Sequence, residues 1–183
     1  MKQNICYSSK ALIAYLFISL LCSCAKKNNE LPTVTQLNVS KYAGKWHEIG
    51  RLPTPFQRNM IAAKATYGVL RDGSLSVKNE GLKENGKYSS INGRATTPDP
   101  SEPGKLKVRF NKFPVNLFQG DYWVLSIDKN YTYATVGSPT MRYLWLLSKD
   151  PNAQKGDFSA QLKNAQESGF SIDQIFYNPN RIK

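Results

Sequence analysis

The most constraining feature of this chain is a series of short segments in which apolar and polar residues alternate. Turn signals separate them, as at Arg71-Asp72-Gly73, Glu84-Asn85-Gly86 and Asp128-Lys129-Asn130. Alternation with a period of two is typical of β-strands that have one buried face. The pattern predicts eight antiparallel strands, at 45–52, 61–70, 74–81, 87–96, 105–110, 121–127, 131–137 and 143–149.

Eight such strands can close into a barrel or stack as a two-sheet sandwich. Closure removes exposed sheet edges and leaves an interior that holds side chains or one small ligand. The next segment favours the barrel, because Phe158, Leu162 and Ala165 recur at helical spacing before a stop at Gly169. We therefore predict an all-β fold, an eight-stranded antiparallel up-and-down β-barrel with one C-terminal α-helix packed outside.

The beginning of the chain has the composition of a secretion signal. A lysine-bearing start precedes an apolar run from Ala11 to Leu21, which is shorter than the roughly 20 residues that cross a bilayer. Ser23 and Cys24 follow, and a small residue before a cysteine resembles a bacterial lipobox. We expect a signal peptide at 1–23, a lipidated Cys24 within a flexible tether at 24–36, and a domain at 37–183. An ordinary cleaved signal and a retained transmembrane helix are the alternatives.

Cysteine and charge limit the chemistry of the domain. All three cysteines precede residue 25, so the folded part has no disulfide, thiol nucleophile or thiolate metal site. The formal net charge is +12, and removing residues 1–23, with two lysines and no acidic residue, leaves 12 − 2 = +10. The basic residues are scattered and no nucleic-acid motif is present, so we expect no nucleic-acid partner. Anionic head groups, acidic ligands and a merely solvated basic surface stay open.

Three blocks of sequence resemble the lipocalin family, and within it the bacterial lipocalins similar to apolipoprotein D. The first is Gly44–Pro53, with Gly44-Lys45-Trp46-His47-Glu48-Ile49 followed by Phe56-Gln57-Arg58. The second is Gly120–Ala134 and the third is Arg142–Lys149. Their order and separation, with a predicted helix after the third, extend the resemblance over about 37–183. The resemblance implies the same barrel that the strand pattern predicts.

The resemblance also implies a plug at the closed end of the barrel, formed by Trp46 and Lys149. The family usually has a tyrosine where this chain has His47, and an arginine where it has Lys149. A lysine can lie over an indole face, but it lacks the planar stacking and forked donors of a guanidinium group. We expect the plug to be retained in a weaker form.

Side-chain alternation, matched to the family pattern, predicts the residues that line the interior. Most are apolar or aromatic with a few hydroxyl groups, a composition typical of a lipid pocket. The alternative is a solid core, which an eight-stranded barrel also allows. The predicted ligand-binding residues are Ala65, Tyr67, Leu75, Val77, Leu106, Val108, Phe110, Tyr122, Val124, Ser126, Tyr133, Thr135, Tyr143, Trp145 and Leu147.

The function that the resemblance implies is binding, with storage or transport, of fatty acids or lysophospholipids at a bacterial outer membrane. We expect no cofactor, no metal and no catalysis. His47 is the only histidine, and alternation places it on the outer face. Glu48 falls inside and needs a partner for its charge. A lipid-modifying enzyme and an interaction module with a filled barrel are the alternatives, and the sequence leaves open whether the protein forms a homodimer.

Overall fold

The computed structural model describes residues 30–182. Its strands are β1 (Gly44–Arg51), β2 (Met60–Val69), β3 (Leu75–Lys83), β4 (Tyr88–Thr96), β5 (Lys105–Phe110), β6 (Gly120–Ile127), β7 (Tyr133–Gly137), β8 (Leu144–Ser148) and β9 (Phe176–Tyr177). All pair in antiparallel fashion, and β1 pairs with both β2 and β8, so the first eight strands form a closed barrel. The predicted fold class is confirmed, with each predicted strand present and its ends within two residues of the prediction.

Two α-helices of the described part of the chain flank the barrel. The short helix α1 (Val39–Tyr42) covers one end, which we call the closed end, and α2 (Ser159–Glu167) packs outside. A 3-10 turn at Lys155–Phe158 leads into α2, and its first residues form a capping box that satisfies exposed backbone donors. Gly169 stops the helix with φ +101°, a left-handed conformation that glycine adopts without a steric penalty.

The apolar residues form two separate cores. The inner core fills part of the barrel and includes Trp46, Leu106 and Val136. The outer core lies between the barrel wall and α2, where Leu146 packs with Phe158 and other residues of the C-terminal segment. Because β8 is covered on both faces, its sequence reads as a nearly continuous apolar run rather than as an alternation.

The packed domain begins earlier than the sequence predicted. Leu31 is buried in the outer core, and the Val34 amide donates to the Val124 carbonyl over 2.9 Å. Residues 31–36, assigned to the tether, therefore lie against the barrel. The predicted signal peptide, the lipidation at Cys24 and the first part of the tether lie outside the described residues. Between residues 30 and 182, no helix is long and apolar enough to cross a membrane.

Candidate functional site

The closed end of the barrel is sealed by Trp46, which is fully buried. Its indole N–H donates to the Tyr42 carbonyl over 2.7 Å, which ties α1 to the barrel floor. The Lys149 ammonium lies 5.1 Å from the centre of the Trp46 ring and donates to the carbonyls of Lys41 and Ala43 over 2.6 and 2.8 Å. Lysine here combines a cation–π contact with the capping of two carbonyl groups, that of Lys41 in the last turn of α1 and that of Ala43 just after it.

Three tyrosine hydroxyl groups meet above this floor. The Tyr122 oxygen lies 2.6 Å from that of Tyr42 and 2.8 Å from that of Tyr67, and we call these residues the tyrosine cluster. Burial raises the pKa of all three phenols above their usual value. They are therefore neutral at physiological pH and act as hydrogen-bond donors and acceptors rather than as bases.

Several inward positions of strands β2 to β4 carry small side chains, which leaves room inside the barrel. Ala63 pairs with Gly81, which pairs with Ser89, and Val77 pairs with Gly93. Several larger inward-facing residues keep part of their surface accessible even though they point into the barrel. These are Asn79, Ile91, Phe110, Tyr122 and Trp145. Partial exposure of inward-facing side chains requires an internal space, which we call the cavity.

Aromatic side chains form one wall of the cavity near its mouth. Tyr143 stacks on Trp145 with ring centres 5.8 Å apart, and Phe56 from the β1–β2 loop lies 5.6 Å from Tyr143. Phe56 is also 60% exposed, so it lies at the border between cavity and solvent. Such large apolar surfaces are typical of pockets for hydrophobic ligands.

A buried polar network holds this wall in place. The Glu48 carboxylate accepts from Arg51 over 2.7 Å, from Gln57 over 2.7 Å and from Asn178 over 2.8 Å. The Gln57 side-chain carbonyl in turn accepts from the Trp145 indole over 3.0 Å. The inward-facing Glu48 carboxylate is thus paired, as its buried charge requires. Its partners include Arg51, three residues away, and Asn178 from the C-terminal tail.

Most predicted ligand-binding residues face the interior. The residues that belong to the inner core or pack against it are Ala65, Tyr67, Leu75, Val77, Leu106, Val108, Phe110, Tyr122, Val124, Trp145 and Leu147. Tyr143 joins them through its stacking on Trp145. That these residues contact a ligand remains a proposal.

Three predicted lining residues lie on the outer face instead. Tyr133 packs edge-on against Phe158 in the outer core. Thr135 pairs with the outer-core residue Leu146 and with Ser126, and directly paired residues share a face of the sheet. The register of β6 shifts between Val124 and Ser126, so a β-bulge reverses the alternation that the sequence extended through Ser126. On β7 the prediction assigned the wrong alternate residues, Tyr133 and Thr135, to the interior.

Sequence reasoning also missed several inward positions. On β7 and the end of β6 the inner core contains Ala134, Val136 and Ile127. Strand β4 was placed correctly but left out of the lining, although its exposed Tyr88, Ser90, Asn92 and Arg94 alternate with inward residues. That alternation could have identified Ile91 and Ala95. Tyr42 had no such signal, because it enters the barrel from a helix.

The only histidine lies outside the cavity. His47 pairs with Ser148 and Lys64 on the outer face, and its Nδ1 is buried without a hydrogen-bond partner. Burial, together with Lys45, Lys64 and Arg181, lowers its pKa. Within residues 30–182, no group of three or more histidine, cysteine, aspartate or glutamate side chains is arranged to hold a metal ion.

Charge is distributed unevenly between the two ends of the barrel. The segments at the mouth, 52–59, 83–87, 111–119 and 138–143, contain five basic residues and one acidic residue. Those at the closed end, 38–43, 70–74, 97–104 and 128–132, contain three basic and four acidic residues. A positive mouth attracts anionic groups at the entrance of the cavity.

Comparison with known proteins identifies the family. The lipocalin-like domain model matches residues 37–180. The chain belongs to the lipocalin family. This lipocalin is 37% identical to temperature-induced lipocalin-1 of Arabidopsis thaliana, with 84% of each chain covered. It is 34% identical to the outer membrane lipoprotein Blc of Vibrio cholerae, with 92% of this chain and 97% of Blc covered. Insecticyanin of Manduca sexta has the same fold, with a TM-score of 0.63 at 22% identity over 81% of this chain and 83% of insecticyanin.

Membership of the family defines the kind of site in general terms. Lipocalins bind small hydrophobic ligands and act as carriers rather than as enzymes.

Proposed function

We propose that this lipocalin binds fatty acids or lysophospholipids in the cavity, for storage or transport, and catalyses no reaction. The observation that carries the proposal is the partial exposure of inward-facing apolar side chains such as Phe110 and Trp145. An acyl chain buried against these surfaces gains about 0.8 kcal/mol per methylene group. The basic mouth would hold the anionic head group.

A tail-first orientation of the ligand follows from the charges inside the barrel. Among the described residues, the inward-facing strand positions below the mouth carry one carboxylate, Glu48, and one cation, Arg51, which are bonded to each other. A ligand carboxylate driven into the barrel would therefore meet no free cation, and an unpaired buried charge is costly. The same charge is stabilised at the mouth, where basic residues such as Arg58, Lys112 and Arg142 lie.

We further propose that the protein acts at a bacterial outer membrane, to which a lipidated Cys24 anchors it. The support is the pattern Leu21-Cys22-Ser23-Cys24 after an apolar run, together with the similarity to a relative named as an outer membrane lipoprotein. A single acyl chain binds membranes only marginally, so stable anchoring requires more than one chain on the terminal cysteine. Mass spectrometry of the N-terminal peptide from the producing cells tests this, and an unmodified cysteine would contradict it.

The binding proposal is tested by displacement of a fluorescent fatty acid from the delipidated protein by oleate and by lysophosphatidylcholine. Wild type should bind with a dissociation constant in the micromolar range. Trp145→Ala should weaken binding about tenfold or more, because it removes a large apolar surface from the cavity wall. Trp123→Ala is the matched control, because Trp123 packs in the outer core, and it should bind like wild type. A folded wild-type protein that binds neither lipid would refute the proposal.

A further inference from the structure

The tyrosine cluster contains one hydroxyl hydrogen more than it uses. Tyr42, Tyr67 and Tyr122 supply three O–H donors, and the two hydrogen bonds between them consume two hydrogens whichever group donates. Within residues 30–182, no other hydrogen bond involves these hydroxyl groups. One donor therefore stays available in every arrangement of the cluster.

The available donor is on Tyr122 when Tyr42 and Tyr67 both donate to it. Tyr42 and Tyr67 are buried, whereas Tyr122, which bridges them, keeps part of its surface accessible from inside the barrel. Asn79 lies one inward position closer to the mouth than Val77, the cross-strand partner of Tyr67, and its side-chain oxygen is buried without a partner. The lower cavity thus has polar groups at its floor and at one point of its wall, within otherwise apolar surroundings.

These groups suit a neutral oxygen rather than an anion. Burial keeps the phenols protonated, and Glu48 lies close enough to raise the pKa of Tyr67 further. A carboxylate at this depth would face that negative charge without a cation of its own. An alcohol or carbonyl oxygen accepts a hydrogen bond at no comparable cost, whereas a bare methyl end leaves the donor unsatisfied once water has been displaced.

We propose that the tyrosine cluster is a polar subsite at the floor of the cavity that receives an alcohol or carbonyl oxygen at the buried end of an amphiphilic ligand. The inference rests on the proposed binding of acyl ligands in the cavity, and it narrows the ligand class. Favoured ligands carry an acidic or zwitterionic head for the mouth and a neutral oxygen at or near the opposite end.

The matched probes are hexadecanoate and its ω-hydroxy derivative, with shorter pairs of the same kind to vary the reach. The quantity measured is the ratio of their dissociation constants for each variant. The variant Tyr42→Phe/Tyr67→Phe/Tyr122→Phe removes every hydroxyl group of the cluster, and replacing all partners of a hydrogen-bonded set by apolar groups of the same shape costs little stability. Tyr177→Phe is the control, because it removes a tyrosine hydroxyl group outside the cavity, where Tyr177 packs against the outer core.

We expect the wild type and Tyr177→Phe to favour the hydroxy acid over its parent by about 3- to 10-fold more than the triple variant does, which is the contribution of one hydrogen bond. An equal ratio in the wild type and the triple variant overturns the subsite while leaving fatty-acid binding intact. If the wild type binds neither acid, the proposed function fails as well.

A second measurement uses the wild type alone, so it tests the proposal even if the triple variant does not fold. The wild type is loaded with a keto acid whose carbonyl group is next to the terminal methyl, and the infrared stretch of that carbonyl is recorded. A shift to lower frequency than in alkane solvent is expected, because the carbonyl accepts a hydrogen bond. A frequency equal to that in alkane overturns the proposal.

Discussion

Breaking the buried ion pair between Glu48 and Arg51 should be among the most damaging changes to this protein. Both side chains are only 5% exposed, and their closest atoms are 2.7 Å apart. Replacing Glu48 with methionine leaves a buried guanidinium group without its counter-ion and the Gln57 amide without its acceptor. Removing one partner of such a pair typically costs about 3–5 kcal/mol. A domain of this size has a total stability of about 5–15 kcal/mol.

A double-mutant cycle separates the ion pair from the rest of the network. We expect Glu48→Met and Arg51→Met each to lower the free energy of unfolding by about 3–5 kcal/mol. The double variant should lose less than the sum by at least about 2 kcal/mol, because it leaves no unpaired charge. Its remaining cost comes from the Gln57 side-chain amide, which loses the Glu48 acceptor, and from the carbonyls of Gln57 and Met60, which lose the Arg51 donors.

Urea unfolding at neutral pH, followed by tryptophan fluorescence and checked by far-UV circular dichroism, measures these energies. Glu48→Gln serves as a control of similar shape that removes the charge and keeps one acceptor. If either single methionine variant costs less than about 1 kcal/mol, or if the two losses simply add, the network does not stabilise the domain as argued.

Three further changes test other parts of the structure. Lys149→Met should lower the free energy of unfolding, measured in urea, by about 1–3 kcal/mol, because it removes the cation over Trp46 and the donor to two carbonyl groups. Lys149→Arg should lower it less. Equal stability of the wild type and both variants would contradict the plug. The pKa of His47 is lower in the folded protein than its usual 6.5, so the unfolded chain binds more protons near that pH. The free energy of unfolding should therefore fall as the pH decreases below about 6.5, by at most about 1.4 kcal/mol per pH unit. His47→Gln should flatten that slope, and an unchanged slope would refute the assignment. Gly93→Ala should lower the melting temperature, because a Cβ atom there would lie 2.6 Å from the Arg109 carbonyl oxygen in the β4–β5 pair, and an unaltered melting curve would show that the strands yield freely.

The strands and the fold could be predicted from the sequence because turn residues and alternation are local signals. These signals were sufficient to predict β1 to β8 and the helix α2, which ends just before Gly169. The side of the sheet on which a side chain lies can be predicted from local sequence only while the strand remains regular. The predicted inward side was wrong at Ser126 of β6, because a bulge precedes this residue and no glycine marks the bulge. It was also wrong on β7, which is only five residues long and buried on both faces.

The partners of Glu48 could not have been predicted, for a different reason. Asn178 lies 130 residues away in sequence, and the tail that carries it has no periodic pattern. The tyrosine cluster unites a helix with two strands, β2 and β6, that are not neighbours in the sheet. Contacts of this kind depend on how the barrel closes, which no single segment encodes.

The sequence Glu48-Ile49-Gly50-Arg51 shows how one irregularity serves both sides of the barrel wall. The register between β1 and β8 shifts between Glu48 and Gly50, so Ile49 packs in the outer core while Glu48 and Arg51 are both paired with inward-facing residues of β8. A Cβ atom at Gly50 would lie 3.0 Å from Ile175 and from Tyr177, so glycine allows the C-terminal segment to approach closely. That approach brings Asn178 to the carboxylate of Glu48. The bulge therefore couples the outer packing of the C-terminal segment to the polar network that positions Trp145 in the cavity.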